Sequence, residues 1–376
     1  MKAHSWSVLI FVSLLTSCTT PQVKNSSIGS DITISYPDTR LIKNYFESKF
    51  ERNNPGGAAL IMMRDSVIFS EGYGLADIDT QEPITPKTLF NIGSVSKTFV
   101  SNAILMLRDQ GKLLLTDSLE KYFSDFSSKS IARKVQIQHL LTHTSGLPDV
   151  RFPWKDSVFY LTARDRENWA PILKVNQLNF EPGSGYEYSN PAFNALALII
   201  EQTSGVKWQN FVQNNIMKPS GMISSTITDG AYPETGVSHG YIFNKGQWVE
   251  KDYGEEPTFA AAGNGGVWSS VEELALYEKA LHKATFLKKE TLAESFDVKQ
   301  YTNWASNGKP FRGWSWAIGQ TSDGYKTVWH DGWQGGFRAY YLSVPEREWL
   351  MVVLTNCPHP VETYAKRMLE FLQTGQ

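Results

Sequence analysis

The chain has 376 residues, a net charge of −2 at neutral pH, and is 41% hydrophobic and 20% charged. That length suits one large two-lobed enzyme or two to three average domains, and the near-neutral charge gives no electrostatic case for a nucleic-acid partner. No apolar run approaches the roughly 20 residues needed to span a bilayer.

Lys2 followed by the short apolar stretch 6–15 reads as a targeting segment. Leu15-Thr16-Ser17-Cys18 resembles a bacterial lipobox, with cleavage before Cys18 and lipid on its thiol. Residues 1–17 are then a lipoprotein signal peptide. Residues 18–36, polar and rich in Ser and Thr, form a flexible tether behind the lipidated Cys18. The only other cysteine is Cys357, so lipidation of Cys18 rules out an intramolecular disulfide. Cys357 follows an apolar strand and reads as a partly buried free thiol.

The folded part, residues 37–376, opens with a helix over 41–50. Strands over 58–64 and 66–72 follow, joined by a tight turn at Arg64-Asp65. Ser94-Val95-Ser96-Lys97 then places a hydroxyl and an amine three residues apart at a helix start, on one helix face. A serine hydroxyl needs a neighbour to take its proton before it can attack, and a desolvated lysine is such a neighbour. The helix N-terminus adds positive potential where negative charge would develop. Val100, Ile104 and Leu107 carry the helix on to a stop at Gly111.

His139 and His143 lie four apart, a spacing compatible with metal ligands on a helix. No His-Glu-x-x-His pattern or third ligand accompanies them, and Gly146 and Pro148 end the segment, so no metal is expected. Residues 151–180, dense in aromatics and charges, read as a surface flap near the site. At Tyr188-Ser189-Asn190, Asn190 serves as a helix cap and Pro191 as the first helical residue. Phe193, Leu196, Ala197 and Ile200 keep helical spacing up to Gly205, so Tyr188 sits on a loop delivered by a helix N-terminus. Another helix is expected over 272–283. From Gly313 the pattern turns to strands: Trp314, Trp316 and Ile318 alternate, then 326–329, 338–344 and 349–354, closed by a helix over 361–372. His330-Asp331-Gly332, followed by Trp333-Gln334-Gly335-Gly336, lies between two of these strands, and glycine beside a strand marks close approach to the backbone. Strands at both chain ends and helices between them describe a sheet lobe, residues 37–93 and 300–376, with an inserted helical lobe, residues 94–299, and an active site at the seam.

Taken in order, Ser94-Val95-Ser96-Lys97, Tyr188-Ser189-Asn190 and His330-Asp331-Gly332 resemble the three motifs of the serine β-lactamase and penicillin-binding protein family. The match is to its class C β-lactamase-like branch, which also holds carboxypeptidases, D-amino-acid peptidases and esterases. The stretch Leu141-Thr142-His143-Thr144-Ser145-Gly146-Leu147-Pro148 resembles a signature of that family outside the site. Residues 262–270 resemble another family segment, with Asn264 inserted. Two departures bear on activity: the β-lactamases proper have Lys-Thr-Gly where this chain has His330-Asp331-Gly332, and the class A branch has Ser-Asp-Asn where Tyr188 leads here.

The resemblance implies an α/β (α+β) fold of the β-lactamase/transpeptidase type: an antiparallel sheet flanked by helices with an all-helical lobe inserted. It implies an acyl-enzyme on Ser94, proton work shared by Lys97 and Tyr188, and an oxyanion hole from the backbone N–H groups of Ser94 and Trp333. Asn190, His330 and Gly332 would bind substrate, with Asn190 orienting Lys97 or a substrate amide and His330 lining the cleft. No metal or organic cofactor is called for. The substrate would be a small molecule or peptide carrying an ester or amide. Because histidine at neutral pH is mostly uncharged, substrates lacking a carboxylate would be preferred, and carboxylated ones would gain as His330 takes up a proton below neutral pH. The reading from another class is a non-catalytic lipoprotein that binds penicillin or cell-wall peptide. Either way the protein is placed in a bacterial cell envelope, held to a membrane by lipid on Cys18, with Thr19 favouring the outer membrane facing the periplasm.

Overall fold

The computed structural model describes residues 1, 38–151, 157–228, 233, 235–250 and 259–375. The signal segment, the tether, Cys18 and part of the expected flap therefore lie outside the described residues. Helix α1 (Thr39–Glu47) starts where Asp38 accepts from the Arg40 amide, four residues ahead of Ile42, which it buries together with Phe46.

Strands β1 (Gly57–Met63) and β2 (Ser66–Tyr73) follow, and Arg64 and Asp65 both adopt positive φ between them. That is the turn geometry that matches the twist of a two-residue hairpin. Four C-terminal strands complete the sheet: β3 (Ala317–Gln320), β4 (Lys326–Gln334), β5 (Phe337–Val344) and β6 (Trp349–Thr355). The order is β2-β1-β6-β5-β4-β3, antiparallel at every pairing. The first strand of the chain thus pairs with the last, Gly57 opposite Thr355 and Met63 opposite Trp349. Every residue of β1 and β6 is buried. A strand covered on both faces reads as a continuous apolar run, as Gly57-Ala58-Ala59-Leu60-Ile61-Met62-Met63 does.

Successive side chains of a strand point to opposite faces. From β5, Tyr341 and Ser343 reach Glu278 on helix α5 (Val271–His282). On the other face α1 and the closing helix α6 (Val361–Thr374) meet over the sheet, with Phe46 stacked on Phe69 and Tyr73 and edge-on to Tyr364. Helix α5 therefore belongs to the sheet layer, although residues 94–299 read as the helical lobe from sequence. That middle region also contains a hairpin, Tyr241–Asn244 with Gln247–Glu250. Helix α2 (Ser96–Asp109) packs against the long helix α4 (Asn190–Ser204), which in turn carries the short helix α3 (Asp165–Trp169).

Two boundaries differ from expectation where they matter. Strand β4 does not stop at Trp329: His330, Asp331 and Gly332 are ladder residues opposite Tyr341, Tyr340 and Ala339. The turn comes later, at Gly335 and Gly336, both with positive φ. Trp314 and Trp316 are buried but precede β3. Cys357 is fully buried.

Candidate active site

The nucleophile turn is tied down before the helix begins. Ile92 donates its amide to Val267 O at 3.0 Å, and Asn91 Oδ1 accepts from the Gly93 amide at 2.9 Å. A short 3-10 turn, Gly93–Val95, then feeds α2, whose first residue, Ser96, accepts from the Val267 amide at 3.0 Å. Ser94 is consequently half-buried at the mouth of a 14-residue helix, and Lys97 one turn inside is fully buried.

The Lys97 amine lies 2.8 Å from Ser94 Oγ and donates to the Asn264 carbonyl at 2.6 Å. Loss of water holds its pKa well below the usual lysine range. The charge of Asp331 opposes that shift, and Arg151 and Arg312 add to it. A buried lysine without a carboxylate bonded to it favours the neutral amine, which can accept a proton. Tyr188 closes the third side. Its ring centroid is 5.1 Å from Lys97 Nζ. The residue is 37% exposed, yet protein around the phenol oxygen raises its pKa by desolvation, and the side-chain contact with Ser94 offsets only part of the rise.

The loop that delivers Tyr188 is braced by the Thr142–Pro148 stretch. His143 takes a positive φ of 58°, stacks on the Tyr188 ring at 4.3 Å and accepts from the Ser189 amide at Nδ1, 3.0 Å. The carbonyls of His143, Thr144 and Gly146 accept from the amides of Glu187, Gly183 and Asn179. His139 accepts instead from the Gln136 amide at 3.1 Å, so the two histidines four apart serve different loops.

Several expected partners sit elsewhere. Ser189, not Asn190, caps α4 by accepting from the Ala192 amide; Asn190 is the first helical residue and Pro191 the second. Asn190 makes no hydrogen bond to Lys97, whose second partner is the Asn264 carbonyl. His330 is fully buried, its Nδ1 2.7 Å from the Asp331 carbonyl oxygen, and so does not line an open cleft. Desolvation, then Arg312 and Lys97, hold its pKa well below the usual histidine value. It remains neutral through mild acid, contrary to the expectation that it gains its proton just below neutral pH. Gly332 is a contact surface for backbone: a Cβ there would lie 2.1 Å from the Ile92 carbonyl oxygen. A Cβ on Gly93 would likewise lie 2.7 Å from the Trp333 amide nitrogen. These two glycines let β4 lie directly against the Ser94 turn. The Trp333 side chain is 73% exposed and stacks on Arg338, 4.1 Å from its guanidinium.

Arg312 belongs to none of the sequence motifs. It is buried, donates to Ser315 O and to the Tyr186 hydroxyl, both at 3.1 Å, and lies 5.9 Å from the ring centroids of Tyr188 and Trp329. No carboxylate among the described residues pairs with it. A cleft of about 770 Å³ opens between Pro148, Val150, Phe159, Lys174 and Asn179, but Ser94, Lys97 and Tyr188 take no part in lining it. The chemistry locates the site better than the size of the cavity does.

The family model described as Beta-lactamase matches residues 39–374. Penicillin-binding protein 4* of Bacillus subtilis is 25% identical over 339 residues, 84% of this chain and 71% of that protein. Protein flp of Staphylococcus aureus is 26% identical over 325 residues, 85% of this chain, which spans only 62% of the length of that relative. Among solved structures, the octameric penicillin-binding protein homologue from Pyrococcus abyssi superposes with a TM-score of 0.78 at 26% identity, covering 89% of this chain and 77% of the other. The D-amino acid amidase from Ochrobactrum anthropi shares the fold at a TM-score of 0.74 and 20% identity, covering 89% of this chain and 98% of that one. With the serine, lysine and tyrosine converging on one turn and the family model spanning the whole described fold, the chain belongs to the beta-lactamase family of serine hydrolases.

Proposed function

We propose that this protein hydrolyses an ester or amide through an acyl-enzyme on Ser94. The observation that carries the reading is the fully buried Lys97 amine 2.8 Å from Ser94 Oγ, with its pKa driven down by desolvation. Neutral Lys97 takes the hydroxyl proton as Ser94 Oγ bonds to the substrate carbonyl carbon. Tyr188 is the poorer base, because desolvation raises its pKa and disfavours the phenolate. Its protonated hydroxyl instead passes a proton to the leaving alkoxide or amine and is reprotonated by the Lys97 ammonium. In the second half water gives a proton to the same pair, adds to the acyl carbon, and Ser94 leaves with its proton restored. The amides of Ser94 and Trp333 are assigned to the oxyanion; the close packing of Gly93 on the Trp333 amide nitrogen supports this. Such donors are each worth about 3 kcal/mol in the transition state.

Arg312 supplies a permanent positive charge that neutral His330 cannot, and an unpaired buried guanidinium is well suited to a substrate carboxylate. Peptides with a free C-terminus and β-lactams thus stand beside simple esters and D-amino-acid amides as candidates. Cys18, from the Leu15-Thr16-Ser17-Cys18 sequence, is assigned the lipid that holds the protein in the envelope. Cys18→Ala should release it in soluble form, and a wild type that is already wholly soluble would reject that assignment. The activity is tested by running p-nitrophenyl esters, a D-amino-acid amide, a D-alanyl-D-alanine peptide and a chromogenic cephalosporin side by side. Steady turnover of any one supports the reading. A stoichiometric adduct without turnover would make the protein a binder of such compounds.

A further inference from the structure

A buried carboxylate stands behind the catalytic lysine without touching it. Asp165 opens helix α3 and is 7% exposed. Its Oδ1 accepts from Asn194 Nδ2 at 2.8 Å and from the Gly263 amide at 2.9 Å; its Oδ2 accepts from Trp208 Nε1 at 2.8 Å. All three partners can only donate at these atoms, so the carboxyl acts purely as an acceptor, and no cation among the described residues pairs with it. Asn194, fully buried on α4, gives the same side-chain nitrogen to Asn264 Oδ1 at 2.8 Å. The backbone carbonyl of Asn264 is the group that takes the Lys97 amine at 2.6 Å. A continuous path of hydrogen bonds thus runs from Asp165 through Asn194 and Asn264 to Lys97 and Ser94. It passes through the residue inserted into the 262–270 segment, and its links join parts of the chain 29, 70 and 167 residues apart.

We propose that Asp165 is a positioning residue: through Asn194 and Gly263 it fixes the Asn264 carbonyl that holds the Lys97 amine on Ser94. This rests on the reading of Ser94 and Lys97 given above. The Gly263 amide is bonded to Asp165 and the Asn264 side chain to Asn194, so the residue that carries the carbonyl is held at two points. Placement of this kind decides rate more than binding, since a misplacement near 1 Å can cost about 100-fold. Burial pushes the Asp165 carboxyl up to about 7. Once protonated, it presents a proton where three N–H groups converge and must give up at least one of them. The charged groups around it are Glu201 on α4, Lys207 ahead of Trp208, and Arg164, Arg166 and Glu167 on α3 and its cap. None of these lies on the path to Lys97.

The test compares wild type, Asn264→Ala and Asp165→Asn by the rate at which a fluorophosphonate labels Ser94, by kcat and KM for a p-nitrophenyl ester, and by thermal unfolding, from pH 5 to 9. Asn264→Ala keeps the backbone carbonyl and removes a half-buried side chain, so it tests the path even where Asp165→Asn unfolds. Both variants should lose roughly 10- to 100-fold in labelling and kcat with KM nearly unchanged. In Asp165→Asn the part of the acid limb near pH 7 should disappear, and in Asn264→Ala, which keeps only the Gly263 link, it should shrink. Wild-type labelling with a wild-type acid limb in Asn264→Ala overturns the proposal, as does a loss confined to thermal stability. Failure of the wild type itself to label at Ser94 would instead overturn the function proposed above.

Discussion

Gly332→Ala probes the contact on which the whole site depends. The added methyl would sit 2.1 Å from the Ile92 carbonyl oxygen and 3.2 Å from Ala339 Cβ. Ordinary contact begins near 3.4 Å, so the strand and the Ser94 turn must part by about 1.3 Å. Neither side yields easily. Ile92 is bonded to Val267 and Gly332 is a ladder residue between Asp331 and Trp333. Overpacking of this kind costs about 1–3 kcal/mol, a drop of a few degrees in Tm. The activity should suffer more, because the same displacement pulls the Trp333 amide away from Ser94, and about 1 Å there is worth roughly 100-fold in rate. Ester kcat and thermal unfolding are measured on Gly332→Ala and on Gly308→Ala, a glycine with nothing within 4 Å of its would-be Cβ. The expected result is a folded Gly332→Ala protein with kcat down about 100-fold, against a silent Gly308→Ala. Wild-type kcat and Tm in Gly332→Ala would refute the close-approach argument and the oxyanion role of Trp333 with it.

Lys97→Ala and Tyr188→Phe should each be severe and non-additive, with the double variant little slower in acylation than the worse single one; multiplicative losses would mean the two do not act as a unit. Because His330 stays neutral, lowering the pH from 7.5 to 6 should bring no selective gain for carboxylated substrates. Arg312→Met should cost them more than it costs neutral esters, as read from the ratio of kcat/KM values. Buried His139 has its pKa lowered to about 4 by desolvation. The unfolded chain therefore takes up its proton below about 6.5 while the folded one does not, and His139 withdraws up to about 3 kcal/mol as pH falls from 6.5 towards 4. His139→Gln should flatten that part of the Tm–pH curve; an unchanged slope would count against the buried neutral form.

What could be read from the sequence was what local chemistry dictates. Ser94 and Lys97 were legible because a helix brings residues three apart together whatever surrounds it. Strands β1 and β6 were legible from their unbroken apolar runs, and the start of α4 from Asn190-Pro191, although the cap proved to be Ser189, one residue earlier. The burial of His330 was not legible, since alternation in β4 says only that it and Gly332 share a face, not that the Ser94 turn packs against that strand. Arg312 lies in a loop with no signature and gains meaning only by lying beside Tyr186 and Tyr188. In sequence His143 is half of a histidine pair and part of the Leu141–Pro148 signature, whereas its part in holding Tyr188 depends on a loop more than 40 residues away. Asn264 was noticed as an insertion, but its link to Lys97 spans 167 residues and follows from tertiary packing alone.

The central claim is that Ser94 is the group that becomes acylated. Intact-mass and peptide-level mass spectrometry of the protein treated with a fluorophosphonate test it most directly, with Ser94→Ala alongside. The account predicts one adduct per chain, located on Ser94, and an unlabelled, inactive but folded Ser94→Ala protein, since replacing a serine by alanine at a helix start costs only about 1 kcal/mol. An adduct on any other residue, or turnover that persists in Ser94→Ala, would contradict it.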